Sequence, residues 1–574
     1  MFTLRKKHLL LSLSVSALAA CSSTPQPPSS SSALTLVGTS VADADFGTSA
    51  AEIVSYDKAT DKLYVVNAQA GLVDILALDA DSKPAVNGVI DLRSAGSHAG
   101  IEIGAANSIS AHGGMVVVAI ENADKQQPGI LALYRSDSLQ LITTYPAGAL
   151  PDMVGFSPDG RYIASANEGE PNSDYTIDPE GSVTLVDLKN GPLNAKVSQI
   201  HFRDFNQGGS RHHELTDKVR ISGPNASVAQ DLEPEYLTFA PNGKIYVSLQ
   251  ENNAVAAIDV ETARVDAIYG LGGKSWQTSQ LDASNKDGII GNFNSYPLLQ
   301  GLYMPDTIAS YSVNGKTYLL TANEGDGREY GIDTTQQVCD QKGFKWDEDD
   351  FSGSAQYTTE EGFCIAYVDE LRGKKLKVAD GHPLKEALKD NKQLARLKVI
   401  NPGHTLAADE PVYSYGARSF SIWDEHGELV FDSGDQLGKI AFESEGDNFN
   451  STNDNNQSGD DRSDDKGIEP EAIEVAEING RHYAFIGLER QGGIMIYDVT
   501  NPEQSRFVEY INNRDYSQPV CTAVDEGDCD NDMYNPAAKD LGPESIKHFV
   551  RNGDHFIAVG NEVSGSTSVY KINL

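Results

Sequence analysis

Cysteine, methionine and tryptophan are scarce in this 574-residue chain, at five, six and three residues. No cysteine pair has C-x-x-C spacing and no histidine cluster accompanies them, which argues against structural zinc. Neither G-x-S-x-G, a P-loop nor H-E-x-x-H occurs, so the chain offers no nucleophile elbow, Walker loop or zincin helix. Positive charge is the scarcer sign: 45 Lys and Arg face 83 Asp and Glu, for a formal charge of −38. With no basic patch, such a surface repels nucleic acid and anionic lipid and attracts divalent cations. The notable apolar run, Leu9 to Ala20, is too short for a retained transmembrane helix.

That run follows Arg5, Lys6 and Lys7 and ends at Leu18-Ala19-Ala20-Cys21, which resembles a bacterial lipobox. The resemblance implies a signal peptide over 1–20 and lipid on Cys21. A Ser/Pro-rich tether over 21–33 fits an anchored protein, and Ser22 favours an outer-membrane lipoprotein facing the periplasm or the exterior. An ordinary secretory signal is the alternative. Removing the three basic residues takes the formal charge from −38 to −41. The remaining Cys339, Cys364, Cys521 and Cys529 make an even count in an exported chain, which suggests disulfides. Local pairing, 339 with 364 and 521 with 529, is the simplest of three connectivities.

Against these shortages stands one abundance, a recurring Pro-acid phrase. It reads Leu150-Pro151-Asp152, Glu233-Pro234-Glu235, Met304-Pro305-Asp306, Glu469-Pro470-Glu471 and Gly542-Pro543-Glu544. A second glutamate follows each acid by 16 or 18 residues: Glu168, Glu251, Glu324, Glu489 and Glu562. Each unit reads strand, turn, strand, turn, strand. In residues 232–260 the first run ends at Phe239, Pro241-Asn242-Gly243 turns, and Lys244 to Leu249 alternates like a half-buried strand. Two copies without the proline occupy 52–79 and 107–134, and the fifth resumes after an insertion at Arg418 to Trp423. The total is seven.

Fourth strands follow six units; the seventh lacks one because the chain ends at Leu574. A spare strand, Leu34 to Gly38, precedes the first unit. Pairing it with the last unit closes a ring, so residues 34–574 are expected to be all-β, a seven-bladed β-propeller. An open solenoid or two sandwiches would not need that complementation. Surplus length falls in insertions near 203–231, 271–303, 325–412, 435–467 and 500–540. Pro383 to Leu397 is the best helix candidate among them. Residues 443–467 read as an acidic Asn/Asp/Ser loop that is flexible or ordered by cations.

Strand-start acids and inner-turn acids of a propeller face one mouth. Asp152, Glu168, Glu235, Glu251, Asp306, Glu324, Glu471, Glu489, Glu544 and Glu562 are therefore candidate metal ligands. So many charges in one place require protons or cations, and calcium suits an all-oxygen donor set. Strand capping explains any single acid as well. Asn167, Asn323 and Asn561, just before second glutamates, are candidate amide ligands, and Asp282 to Gly288 is a weak calcium-loop candidate. Arg328 and Arg490, beside Glu324 and Glu489, could clamp a phosphate bridged by metal, or simply pair with neighbouring acids. His112, His212 and His213 sit in no motif.

Ala166-Asn167-Glu168-Gly169-Glu170, Gly301 to Asp306, Ala322 to Tyr330, Ser463 to Glu471 and Gly487-Leu488-Glu489-Arg490 resemble the choice-of-anchor I family over about 35–574. That family is similar to the mesenchyme-specific cell-surface glycoproteins of sea-urchin skeleton-forming cells. Some members carry an alkaline-phosphatase-like label, and the animal relatives are linked to calcium mineral. The resemblance implies a surface-anchored protein, with the lipid at Cys21 as anchor; neither label amounts to a shared mechanism, and the acids themselves make calcium the expected cofactor, with another divalent or trivalent metal as an option. A metal-dependent phosphoesterase is one expected function; a non-catalytic protein for adhesion, mineral or partner binding is the other. The expected partners are a membrane through the lipid alone and a small phosphate ester or surface partner, with no nucleic acid. Shared fold does not transfer activity.

Overall fold

A computed structural model describes residues 32–68, 70–346, 361–525, 528–529 and 533–574. The expected signal peptide, the lipidation site Cys21 and most of the tether lie outside the described residues. Among the described residues, no helix is long and apolar enough to cross a membrane.

Seven four-stranded antiparallel sheets follow one another along the chain. Blade III is representative, with strands Pro151–Phe156, Tyr162–Asn167, Ser182–Asp187 and Lys196–His201. The first strand of each blade lies against the first strand of the next, and blade VII meets blade I. Leu34–Val41 supplies the outer strand of blade VII, pairing antiparallel with Ser566–Ile572 from Leu34↔Ile572 to Val41↔Ser566. The chain thus closes its own ring. Blade V is completed across the long insertion, where Lys316–Asn323 pairs with Ser419–Asp424.

An apolar cluster fills each blade junction. Ala164, Val183 and Leu185 meet Leu237, Ile245 and Val247 between blades III and IV. Phe556, Ala558 and Val569 meet Val54, Leu63 and Val65 between VII and I. Burial between two neighbouring sheets explains why the second strands are apolar on both faces. This corrects the half-buried reading of Lys244–Leu249, which is buried throughout from Ile245 to Leu249. Its Ser248 pays no penalty there, because its hydroxyl donates to the Tyr236 carbonyl at 3.2 Å.

The insertions build satellites. Gly273–Ser275, Leu299–Leu302, Val412–Ser414, Lys398–Ile400 and Glu370–Arg372 form one five-stranded sheet. Its own core gathers Trp276, Leu384, Leu388, Leu394 and Leu397. The helix expected over Pro383 to Leu397 is absent; the segment holds one 3-10 turn, Ala387–Lys389. Its leucines reach the core from successive turns, a spacing that mimics helical periodicity. The disulfides are Cys339–Cys364 and Cys521–Cys529, both within insertions.

Side-chain hydrogen bonds tie down residues 452–456 of the acidic 443–467 stretch. Arg514 donates to Asn456 Oδ1 at 2.7 Å and to the carbonyls of Arg490, Thr452 and Asn455 at 2.9, 2.7 and 3.2 Å. A buried guanidinium therefore staples this loop across the ring face that carries Glu489.

Candidate cation-binding mouth

The Pro-acid phrase has a backbone cause. The residue before the proline has positive φ in four copies: Leu150 at 47°, Met304 at 43°, Glu469 at 52° and Gly542 at 70°. A non-glycine residue pays for that conformation, which marks a bend the fold requires. The bend turns its carbonyl toward the second acid. The amides of Glu168, Glu489 and Glu562 donate to the carbonyls of Leu150, Glu469 and Gly542 at 3.0, 2.8 and 2.8 Å. In blade V the donor is Gly325, to Met304 at 3.0 Å. First and second acids are thus locked side by side.

Glycine follows two of the second acids for steric reasons. A Cβ on Gly325 would sit 2.1 Å from the Gly416 nitrogen, where the chain leaves and rejoins blade V. A Cβ on Gly169 would meet the Glu180 carbonyl carbon at 2.7 Å.

The structure joins the sequence-selected acids into clusters. Ligand oxygens of Asp152, Glu168 and Glu235 lie within 4.8 Å of one another, as do those of Asp306, Glu324 and Glu471. Each triad takes both acids of one blade and the first acid of the next. A third group within 4.8 Å joins Glu324, Glu469 and Glu489. Asp152, Glu235, Asp306 and Glu544 also line an axial cavity of about 150 Å³ with Glu52 and Asn107. The charge of Glu251 acts on Glu235 and Glu168, and that of Glu562 on Glu544.

Glu52, Glu233 and Glu469 belong to this constellation beyond the chosen ten. Glu52 is the blade I counterpart of Asp152, 16 residues before Ala68, but lacks the flanking proline that betrays the others. Glu233 and Glu469 stood inside the quoted phrase, before the proline. Blade II contributes neutral Asn107 to the cavity.

Burial and mutual repulsion raise the proton affinity of the mouth. Asp152 is pushed up to about 8 by burial and then by Asp306 and Glu170. Glu324 is pushed up to about 8 by burial, against the pull of Lys466. Glu471 is driven well above the carboxylate range by burial, Asp306, Glu324 and Glu544. Its side chain lies within hydrogen-bonding reach of Asp306, so one of the two carries a proton or a cation lies between them. Glu471 is 5% exposed, and its Oε2 has no hydrogen-bond partner.

Both arginines chosen as phosphate clamps are engaged. Arg328 is buried; its Nε and Nη2 donate to Glu233 Oε2 at 3.1 and 2.8 Å, and Nη1 donates to Ser222 at 2.7 Å. Nη2 also donates to the Asp231 carbonyl at 2.7 Å. No guanidinium edge remains to face a ligand. Arg490 is 31% exposed in its side chain and lies 3.3 Å from both Glu469 and Glu489. It alone of the two keeps a solvent-facing edge at the mouth.

The asparagine ligands proposed from sequence point elsewhere. Asn167 donates to the Ser182 carbonyl at 3.1 Å while its Oδ1 accepts from Ser165 at 3.0 Å. Asn323 donates to Ser421 at 2.8 Å and accepts from Thr321 at 2.8 Å; Asn561 donates to the Ser566 carbonyl at 3.1 Å. They tie second strand to third. In the 282–288 loop, Asp282 Oδ2 accepts from the amides of Gly291 and Asn292 at 2.8 and 2.9 Å. Asp287 Oδ1 accepts from Ile289 at 2.8 Å, so both acids serve turns. His112 packs against Phe156 at the far end of its strand, and His212 bonds the Phe205 carbonyl.

A closed ring of four-stranded blades with a polyacidic axial mouth defines a β-propeller of one particular kind. Residues 52–502 match the choice-of-anchor I domain, and the chain belongs to that family. It is similar to the mesenchyme-specific cell surface glycoprotein of Strongylocentrotus purpuratus, 27% identical over 332 residues. That match covers 53% of this chain and 40% of the sea-urchin protein, less than half its length. Among solved structures, the β-propeller domain of Myceliophteria thermophila Cps50 (Swd1) aligns over 94% of this chain and 100% of its own, with 8% identity and TM-score 0.42. Kuenenia stuttgartiensis hydrazine synthase aligns over 93% and 97%, with 10% identity and TM-score 0.40.

Proposed function

We propose that this protein is a cell-surface β-propeller whose axial mouth binds divalent cations, calcium first among them. The family's anchor domain and the sea-urchin relative's name support the surface placement. The cation reading is carried by Glu471, a buried carboxylate whose Oε2 lacks any hydrogen-bond partner beside Asp306 and Glu324. Leaving such a group unmatched is costly, and a hard cation would satisfy it. The donor set is all oxygen, which fits calcium better than softer metals. Asp152, Glu168 and Glu235 would hold an ion in the same manner in blades III and IV.

The test is thermal unfolding with calcium chloride and with chelator. Calcium should raise the midpoint of the parent protein, and Glu471→Gln should blunt that rise. Equal midpoints with calcium and chelator would sink the reading.

The phosphoesterase reading draws support from Arg490, which keeps an exposed edge beside Glu489. The engagement of Arg328 by Glu233 and Asp231 weakens it, so geometry favours binding over turnover. Hydrolysis of a chromogenic phosphate monoester at alkaline pH, lost with chelator and in Glu489→Gln, would reverse that preference. Anchoring at Cys21 is a separate proposal, checked by palmitate labelling of the parent and of Cys21→Ser.

A further inference from the structure

The two halves of the mouth share one sequence pattern. In blades V and VI, the corner formed by Glu324, Glu469 and Glu489 already holds a cation of the chain's own. Lys466, three residues before Glu469, contacts Glu324 and lies 3.3 Å from Glu469 Oε2. Both oxygens of Glu469 are taken. Its Oε1 accepts from Arg462 Nε at 2.9 Å, and its Oε2 lies 3.3 Å from Lys466 and from Arg490.

The positions that match in sequence in blades III and IV are Glu168, Glu233 and Glu251, although Glu233 lacks the positive φ of Glu469 and the three oxygens do not draw as close as those of Glu324, Glu469 and Glu489. Three residues before Glu233 stands Gln230, which is neutral and turned away. Its Oε1 accepts from the Ser227 amide at 3.0 Å and its Nε2 donates to the Asp178 carbonyl at 2.7 Å. Arg328 engages Glu233 through Oε2 alone. Glu233 Oε1 and Glu251 Oε2 are buried without any hydrogen-bond partner, and Glu233 is 2% exposed. Glu170 adds a further negative charge to the corner.

We propose that a divalent cation takes, in blades III and IV, the place that the Lys466 ammonium takes in blades V and VI, with Glu233 Oε1 and Glu251 Oε2 among its ligands. The inference rests on the mouth being a cation site and names one further position within it. Arg328 fills the need only in part: it pairs with Asp231 and the other oxygen of Glu233 and its charge is felt by Glu251, but Glu233 Oε1 and Glu251 Oε2 stay without a hydrogen bond. Carboxylate and carbonyl oxygens suit calcium, which tolerates irregular geometry.

Equilibrium dialysis of the full chain against calcium chloride at neutral pH, with bound metal counted by atomic emission, tests it. Glu251→Gln and Glu233→Gln should each bind one calcium fewer than the parent. Lys466→Met, which empties the matching corner, should bind one more. Glu251→Gln removes an oxygen with no protein partner, so it keeps the test open if Glu233→Gln misfolds by freeing Arg328. Parent stoichiometry in both glutamine variants would overturn the inference while leaving the mouth reading intact. No calcium on the parent protein would overturn both.

Discussion

Glu469 and Glu471 stand two residues apart and meet opposite fates. Burial pushes both upward, but Lys466, Arg462 and Arg490 surround Glu469 and hold it below the usual carboxylate range. Glu471 has its strongest interactions with other acids, Asp306, Glu324 and Glu544, and is raised well above that range. Asp152, Glu251 and Glu324 are raised with it, to about 8, 7 and 8. A carboxyl whose folded pKa exceeds its unfolded one adds stability below the unfolded value and loses it as pH rises through the folded one. Chelated protein should therefore become less stable from about pH 4 to about pH 8, and calcium should restore most at the upper end. Differential scanning calorimetry across that range checks both signs. Glu471→Gln removes the charge that must be neutralised. It should raise the midpoint of the chelated protein at pH 8, while weakening calcium binding by at least the roughly 10–100-fold typical of lost outer-shell partners. A lower chelated midpoint would contradict the electrostatic account.

At the scale of elements, side chains tie the insertions to the ring. The 450–458 loop hangs on Arg514, so Arg514→Ala should strand three carbonyls and cost on the order of 3 kcal/mol locally. Limited proteolysis should then cut that loop in the variant before the blades, and calcium should not prevent it. The Cys339–Cys364 disulfide closes a loop of sequence separation 25 outside the ring. Cys339→Ser with Cys364→Ser should lower the resistance of that insertion to protease and leave calcium stoichiometry at the parent value. A changed stoichiometry would show that the disulfide helps hold Arg328, from the same insertion, against Glu233.

For the whole molecule, the decisive contact joins the first described strand to the last. Removing 34–41 would bare the backbone edge of Ser566–Ile572 and take Leu34 from the cluster between blades VI and VII. Exposed edges invite pairing between chains. The truncated protein should unfold at lower temperature and associate with rising concentration in sedimentation runs. A monomer with the parent midpoint would show that closure contributes little.

Repetition made the ring legible from sequence alone. Seven strand-turn-strand units, a missing last strand and a spare first one leave few alternatives, because closure satisfies an edge that would otherwise stay open. The spacing from Asp152 to Glu168 and its counterparts told which acids share a blade, since it spans one hairpin. Tertiary structure alone decided the charge of each acid's surroundings. Lys466 and Arg462 reach Glu469 from three and seven residues upstream, whereas Arg328 comes to Glu233 from a distant insertion that no spacing rule connects to it. Asn167 looked like a ligand beside Glu168 and proved to be a strand tie, because its side chain takes the opposite face of the strand. Position in sequence determined that the acids converge; the side chains of the cations, local for Glu469 and distant for Glu233, determined which of them stay unmatched.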